Sequence, residues 1–402
     1  MKKKILISSL ISFALLATAV KNAAAAISPP GLGFGVCHWP GTGRYAESVN
    51  WFYWGGGEEN WNKIEPVKGQ YTFAKLDKQL ADQFTAKPNT SMWLNIMTAM
   101  PDTVPEWAKN DPALEYIKLK PKNASTFPIW NPAFQQVFTE LLTKISEHLY
   151  APSFPYRDKI KAVVMMSGGS FGEMITRSDC PNGDDCKKYL AAGYTDEKYL
   201  EALVNWLAPL YLRLFPDYPI VLQLGGGIYG NDTGGTAANR LVDKYGSRIY
   251  VKWNGWNRKY AQEGSSTDRY YHRLMASLAD RARVGFEPGY PWAIPDNESA
   301  EMQKSIYDSI TATLKEVPVS YFCLQDKYYQ ILTAEQVREL SSQMRGIDSP
   351  TAPIACDFDG NGQITLNDFK TALIHYGQTE NITCQNTNLI NGLDLAKIML
   401  TL

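Results

Sequence analysis

Two acidic residues stand where short apolar runs give way to glycine-containing loops. Glu287 closes "RVGFE" (283–287) just before a proline, and Glu173 lies in "SGGSFGEM" (167–174), whose glycines let backbone and ligand approach closely. A carboxyl pair can act as proton donor and ionised partner if the fold brings the two groups together in unlike surroundings. They are 287 − 173 = 114 residues apart, or three intervals of 38. Each has a plainer reading: Glu173 as a loop acid on a solvated turn, Glu287 as a strand-end acid paired with an arginine such as Arg281 or Arg283.

The elements that must position these acids are legible as eight apolar runs. They are "GFGVCH" (33–38), "NWFYW" (50–54), "SMWLNIM" (91–97), "KAVVMMS" (161–167), "PIVLQLG" (219–225), "IYVKWN" (249–254), "RVGFE" (283–287) and "VSYFCLQ" (319–325). Helix patterns such as "FAKLDKQLADQF", "FQQVFTELLTKISEHL", "DEKYLEALVNWLAPLYLRLF" and "AEMQKSIYDSITATLKE" lie between most of them, and "AEQVRELSSQM" follows the last. The first crossover is weak, because residues 39–49 show no clear helix. Alternating strands and helices imply parallel pairing, and eight such units predict an α/β fold of the (β/α)8 TIM-barrel type over residues 27–346.

Such a barrel builds its site at the C-terminal ends of the strands. Glu173 then follows strand 4 and Glu287 ends strand 7, so one rim receives both. His38, Trp39, Trp54, Asn95, Trp253, Asn254, Trp292, Gln325 and Asp326 also fall at or just beyond strand ends. Mixed donors, acceptors and flat apolar faces suit a hydroxyl-rich ligand. Glu58 and Glu59 in "GGGEENW" join them as hydroxyl partners, or are a solvated pair. Two carboxylates facing a sugar are what hydrolysis of a glycosidic bond requires. Strands 1 and 8 adjoin in a closed barrel, so Cys37 and Cys323 are either bonded or two reduced core thiols.

Composition narrows the class. A net charge of −1, with no basic run after the N-terminus, argues against a nucleic-acid surface, and 45% hydrophobic residues suffice for a substantial core. "MKKK", the apolar run Ile5 to Val20 and the small residues Ala23 to Ala26 have the three-part form of a secretory signal over residues 1–26. Export agrees with an even set of six cysteines, of which Cys180 and Cys186 bracket the short loop "CPNGDDC". "GGGIYG" (225–230) fits G-x-G-x-x-G after a strand, but no helix is expected directly behind it and the next strand ends in Asn rather than an acid. Four histidines without H-E-x-x-H disfavour a zinc hydrolase, and a Ser-His-Asp triad lacks its G-x-S-x-G elbow.

After a linker at 347–355, "DFDGNGQITLND" places Asp357, Asp359, Asn361, Gln363 and Asp368 at positions 1, 3, 5, 7 and 12 of a calcium loop, with Gly362 at the sharp turn. Asp at position 12 and the trailing "FKTALIHYG" resemble a dockerin repeat. The resemblance implies a small all-α, EF-hand-like, dockerin-like domain at 356–402 that holds structural Ca2+ and docks to a cohesin-type scaffold. The second repeat, "CQNTNLINGLDLAKIML", lacks the acidic ligands, which puts a second calcium and cohesin docking in doubt.

"WFYWGGGEENWNKIEPVKGQYTFAKLDKQLADQ" resembles the segment after strand 2 in clan A glycoside hydrolases, notably the family 42 β-galactosidases, and "MWLNIMTAMPDTVPEW" resembles their strand 3 segment. The resemblance implies a retaining glycoside hydrolase cleaving β-glycosidic bonds in oligo- or polysaccharides, with Glu173 as acid/base, Glu287 as nucleophile and no catalytic cofactor. One departure stands out: the clan carries Asn directly before the acid/base, and Gly172 occupies that position here. A carbohydrate-binding barrel without catalysis is the alternative reading.

Overall fold

The computed structural model describes residues 32–37, 49–53, 59–120, 124–169, 172–175, 180, 182–225, 232–289 and 300–345. The expected signal segment 1–26, the linker 347–355 and the dockerin-like unit with its ligand set lie outside the described residues. So do the side chains of His38, Trp39, Trp54, Glu58, Trp292 and Asp326.

Among the described residues, eight parallel strands close into a barrel in sequence order. They are β1 (Gly33–Cys37), β2 (Trp51–Tyr53), β3 (Ser91–Asn95), β4 (Ile160–Val164), β5 (Ile220–Leu224), β6 (Ile249–Trp256), β7 (Arg283–Pro288) and β8 (Tyr321–Leu324). Each expected strand is found, and pairing of β1 with β8 completes the ring. Parallel strands buried on both faces need apolar residues at nearly every position, which is why these segments read as continuous apolar runs.

Outward residues such as Phe52, Leu94, Leu222, Val284 and Phe322 pack under a helical layer. Its main members are α1 (Ala74–Ala86), α2 (Pro132–Leu149), α3 (Asp232–Tyr245), α4 (Ser266–Leu278), α5 (Ala300–Glu316) and α6 (Ala334–Gln343). In α1 the buried Leu76, Leu80 and Phe84 recur every four residues and form one stripe. Capping also fixes the ends: Ser265 and Asp268 form a reciprocal capping box at the start of α4, as Thr333 and Gln336 do for α6.

The helix α3 corrects the expectation that none opens behind "GGGIYG", since it begins at Asp232. The run "DTGGTAANR" hid it, because adjacent glycines lower helix propensity. Tertiary packing overrides that cost: Gly234 lies so near the Gly225 carbonyl that a Cβ would come within 2.1 Å of its oxygen.

The inward residues form a second cluster of Trp51, Trp93, Ala162, Val164, Val221, Tyr250 and Tyr321 with Cys37 and Cys323. Trp51 and Trp93 stack with centroids 3.9 Å apart, and Tyr321 meets Trp93 edge-on at 4.8 Å. Gly285 makes room for this ring, because a Cβ there would lie 2.1 Å from Tyr321. The lumen is therefore floored by aromatic rings, and a ligand has access only above them.

Cys37 and Cys323 form a disulfide across the β1–β8 seam with Cα atoms 5.2 Å apart, and Cys180 and Cys186 form the local clip. Among the described residues no helix is long and apolar enough to cross a membrane. The seam bridge spans 286 residues of sequence, so Cys37→Ser/Cys323→Ser is expected to lower the unfolding free energy by about 2–5 kcal/mol. Denaturant melts of the two proteins check this, and coincident curves would refute it.

Candidate active site

Inward-facing positions on neighbouring strands share a register. Gln223 of β5 pairs with Lys252 of β6, and Lys252 pairs with Gly285 of β7. Glu287 stands two residues past Gly285 and so points to the same side. Its carboxylate forms a close ion pair with the Lys252 ammonium. Lys252 has no exposed surface and Glu287 is 5% exposed, so the pair is sheltered from water. A carboxylate oxygen of Glu287 also lies within 4.8 Å of both sulfurs of the Cys37–Cys323 bond.

Glu173 reaches this site from the loop after β4. Backbone hydrogen bonds shape it, among them Ser167 N–H to Gly172 O at 2.9 Å, Gly169 N–H to Glu173 O at 2.7 Å, and Met174 N–H to Gln223 O at 2.9 Å. Tyr199 ties the two ends of the loop together, donating its hydroxyl to Ser167 O at 2.7 Å and accepting the Ile175 N–H at 3.3 Å. Glu173 is partly exposed, unlike Glu287.

Glu287 contacts the Lys252 ammonium, and both acids contribute to its electrostatic surroundings. Burial pushes the Lys252 amine below the usual lysine range, while the negative charges of Glu287 and then Glu173 pull it back up. Burial raises the Tyr321 phenol well above its ordinary value, with Tyr250 and Glu287 adding to the effect. Tyr199 is raised in the same way, chiefly by burial, and Glu173 is among its lesser causes. Both phenols therefore stay protonated and serve as donors.

Several other sequence candidates converge on the rim. Asn254 donates to the Gln223 side chain at 3.0 Å, and its own carbonyl oxygen is buried with no hydrogen-bond partner among the described residues. Asn95 at the end of β3 is fully buried and reaches Met97 Sδ at 3.1 Å. Gln325 follows β8, buried, with its amide 3.5 Å from Pro288 O.

Two candidates do not belong to the rim. Trp253 faces outward, stacked on Tyr271 of α4 with centroids 4.6 Å apart, because it is out of phase with Lys252 and Asn254 on the same strand. Glu59 is neither solvated nor open to ligand: it is fully buried and accepts a hydrogen bond from Gln79 of α1 at 3.2 Å. The arginine pairing of Glu287 is also corrected, since Arg281 reaches Asp243 of α3 and Arg283 packs over the Tyr250 ring. Lys252 and Gln223 are the site residues that strand-end inspection passed over; their phase with Tyr250 and Val221 is the signal that identifies them.

The chain matches no protein-family profile and no curated protein sequence. Among solved structures it is similar to native xylanase 10B from Thermotoga maritima at 13% identity, covering 78% of this chain and 94% of that one, TM-score 0.46. It is also similar to the β-amylase catalytic domain from Paenibacillus polymyxa at 12% identity, covering 88% and 100%, TM-score 0.48. Native xylanase 10C from Cellvibrio japonicus is 15% identical over 90% of this chain and 73% of its own, TM-score 0.45. Likeness at this level carries no functional argument, and the strand ladder establishes the barrel by itself.

The loop geometry explains why glycine precedes Glu173. Gly172 has φ +92°, and a Cβ there would lie 2.6 Å from Met166 Sδ. A side chain such as asparagine would be strained by this left-handed backbone and would have to displace the Met166 thioether. Gly172→Ala is expected to lower the unfolding free energy by about 1–3 kcal/mol, read from denaturant melts; a variant as stable as wild type would sink this account.

Proposed function

We propose that the chain is a retaining glycoside hydrolase acting on β-glycosides. The observation that carries the reading is that Glu287 of β7 is buried against the Lys252 ammonium above an aromatic floor, while the Met174 N–H bond to Gln223 O holds Glu173 of the β4 loop beside the neighbouring strand. Glu287, buried and ion-paired, has the character of a nucleophile. Glu173, partly exposed on a clamped loop, has the position of a group that exchanges protons with ligand and water.

In the first step Glu173 gives its proton to the leaving oxygen as a Glu287 oxygen attacks the anomeric carbon, forming a glycosyl ester and releasing the alcohol. In the second, Glu173 takes a proton from water, which attacks the same carbon and frees Glu287. Configuration is retained through two inversions. Asn254 and Gln223 offer amide groups for the sugar hydroxyls that an asparagine at position 172 would otherwise meet. The resemblance to family 42 makes β-galactosides the first substrates to examine.

A panel of aryl β-glycosides tests this reading. Glu287→Gln is expected to lose activity by on the order of 10⁴-fold or more. Glu173→Ala is expected to lose about 10²–10⁴-fold on poor leaving groups, with azide restoring turnover and yielding a glycosyl azide of retained configuration. A wild-type protein that binds oligosaccharides in calorimetry but cleaves no substrate would instead support the carbohydrate-binding barrel.

We also propose that the chain is exported with residues 1–26 removed and that its tail binds Ca2+ through Asp357, Asp359, Asn361, Gln363 and Asp368. The leader pattern and the loop spacing support this. Full-length protein recovered from the medium is expected to begin near Ile27 and to show a calcium-binding heat that Asp357→Ala/Asp368→Ala removes. An equal heat in the variant would refute the site.

A further inference from the structure

We propose that Lys252 is a positioning residue that serves as the shared counter-ion of both catalytic carboxylates and thereby sets the pH window of the reaction. The inference rests on the glycoside hydrolase reading and goes beyond it by assigning a third charged group to the same centre.

The geometry is specific. Lys252 lies on β6, one strand from Glu287, in register with Gln223 and Gly285 and with no exposed surface. Its ammonium contacts a Glu287 oxygen directly, and the Met174 N–H bond to Gln223 O holds Glu173 beside the strand whose Gln223 is in register with Lys252, where the Glu173 charge adds to the surroundings of the ammonium. Among the described residues, charged or titratable groups near it include Tyr250 on its own strand, Arg283 on β7 across from Tyr250, and Tyr321 on β8. β5 presents the neutral Gln223. Arg283 lies over the Tyr250 ring one register step lower, so among these groups Lys252 is the cation at the level of the two acids.

A positive charge beside two carboxylates favours the ionised form of each. In the free enzyme it holds Glu287 ready to attack. In the glycosyl ester Glu287 is neutral, the cation remains, and it favours the ionised Glu173 that must then take a proton from water. One group thus serves both halves of the cycle, and no proton has to pass through it.

The test compares wild type, Lys252→Met and Lys252→Arg on an aryl β-glycoside. The acidic limb of kcat/KM reports ionisation of Glu287 in the free enzyme and the basic limb reports protonation of Glu173. Lys252→Met is expected to move both limbs to higher pH by about one unit or more, while Lys252→Arg keeps them in place. A structural role alone would lower activity without moving either limb, so unmoved limbs in an active Lys252→Met overturn the proposal.

If Lys252→Met does not fold, a measurement on wild type decides. Carbon-13 labelled lysine reports the Lys252 titration before and after trapping Glu287 with a 2-deoxy-2-fluoro glycoside. The titration is expected to move to lower pH once the Glu287 charge is lost; an unmoved titration overturns the proposal. A wild type that cleaves no glycoside overturns the hydrolase reading and this proposal with it. An active wild type with an inert Lys252 overturns this proposal alone.

Discussion

The ion pair between Glu287 and Lys252 is the constraint on which the rest of the centre depends. Two opposite charges taken out of water lose hydration that their attraction does not always restore, and removing either partner costs about 3–5 kcal/mol. The barrel makes the arrangement tenable by shape. Trp51, Trp93, Tyr250 and Tyr321 close the lumen below, and the Cys37–Cys323 bond presents two sulfurs beside the carboxylate. Water is kept from one side, so the field of the ammonium acts on the acids with little screening. The same aromatic floor that gives the barrel its inner core therefore also strengthens the electrostatics at its mouth.

The second acid depends on that frame through the backbone. Glu173 does not sit on a strand, yet its loop is pinned by hydrogen bonds to Gln223 O and by Tyr199, whose hydroxyl joins Ser167 and Ile175. The left-handed Gly172 turns the chain so that Glu173 faces the lumen while Met166 fills the space a side chain would have taken. A loop held at both ends gives its carboxyl group a fixed reach without burying it. Glu287 and Glu173 consequently differ in exposure and in anchoring, which is the kind of asymmetry that separates two chemically identical groups into different roles.

Sequence made the strands legible because parallel strands covered on both faces must be apolar throughout, and all eight runs became barrel strands. Closure then made the Cys37–Cys323 contact deducible, since β1 and β8 have no other neighbour to meet at that seam. The strand-end rule found both acids. It failed at Trp253, because proximity to a strand end does not specify a face, and at Glu59, whose partner Gln79 lies on a helix twenty residues away in sequence. Lys252 stayed hidden in "IYVKWN" because a lone lysine in an apolar run looks like an interruption. Its phase with Tyr250 and Asn254 carried the information, but that phase acquires meaning only once the inward face of one residue is known. Face, more than position along the strand, was the missing variable.

Charge counting gives the proposed roles a physical order. Among the described residues the rim holds Glu287, Glu173 and Lys252, and a sheltered site does not readily keep two negative charges against one positive one. One proton on the carboxyl pair brings the group close to neutrality. The cation contacts Glu287 directly, whereas Glu173 keeps partial access to solvent. The proposed mechanism accordingly puts the proton on Glu173 and the negative charge on Glu287, so that its cycle begins with acid and nucleophile already assigned. Forming the ester removes the negative charge and leaves the ammonium in place, so neutrality is then restored by the departure of the Glu173 proton. In the proposed mechanism the direction of proton flow thus follows from one buried lysine and the tendency of a sheltered site to remain close to neutral.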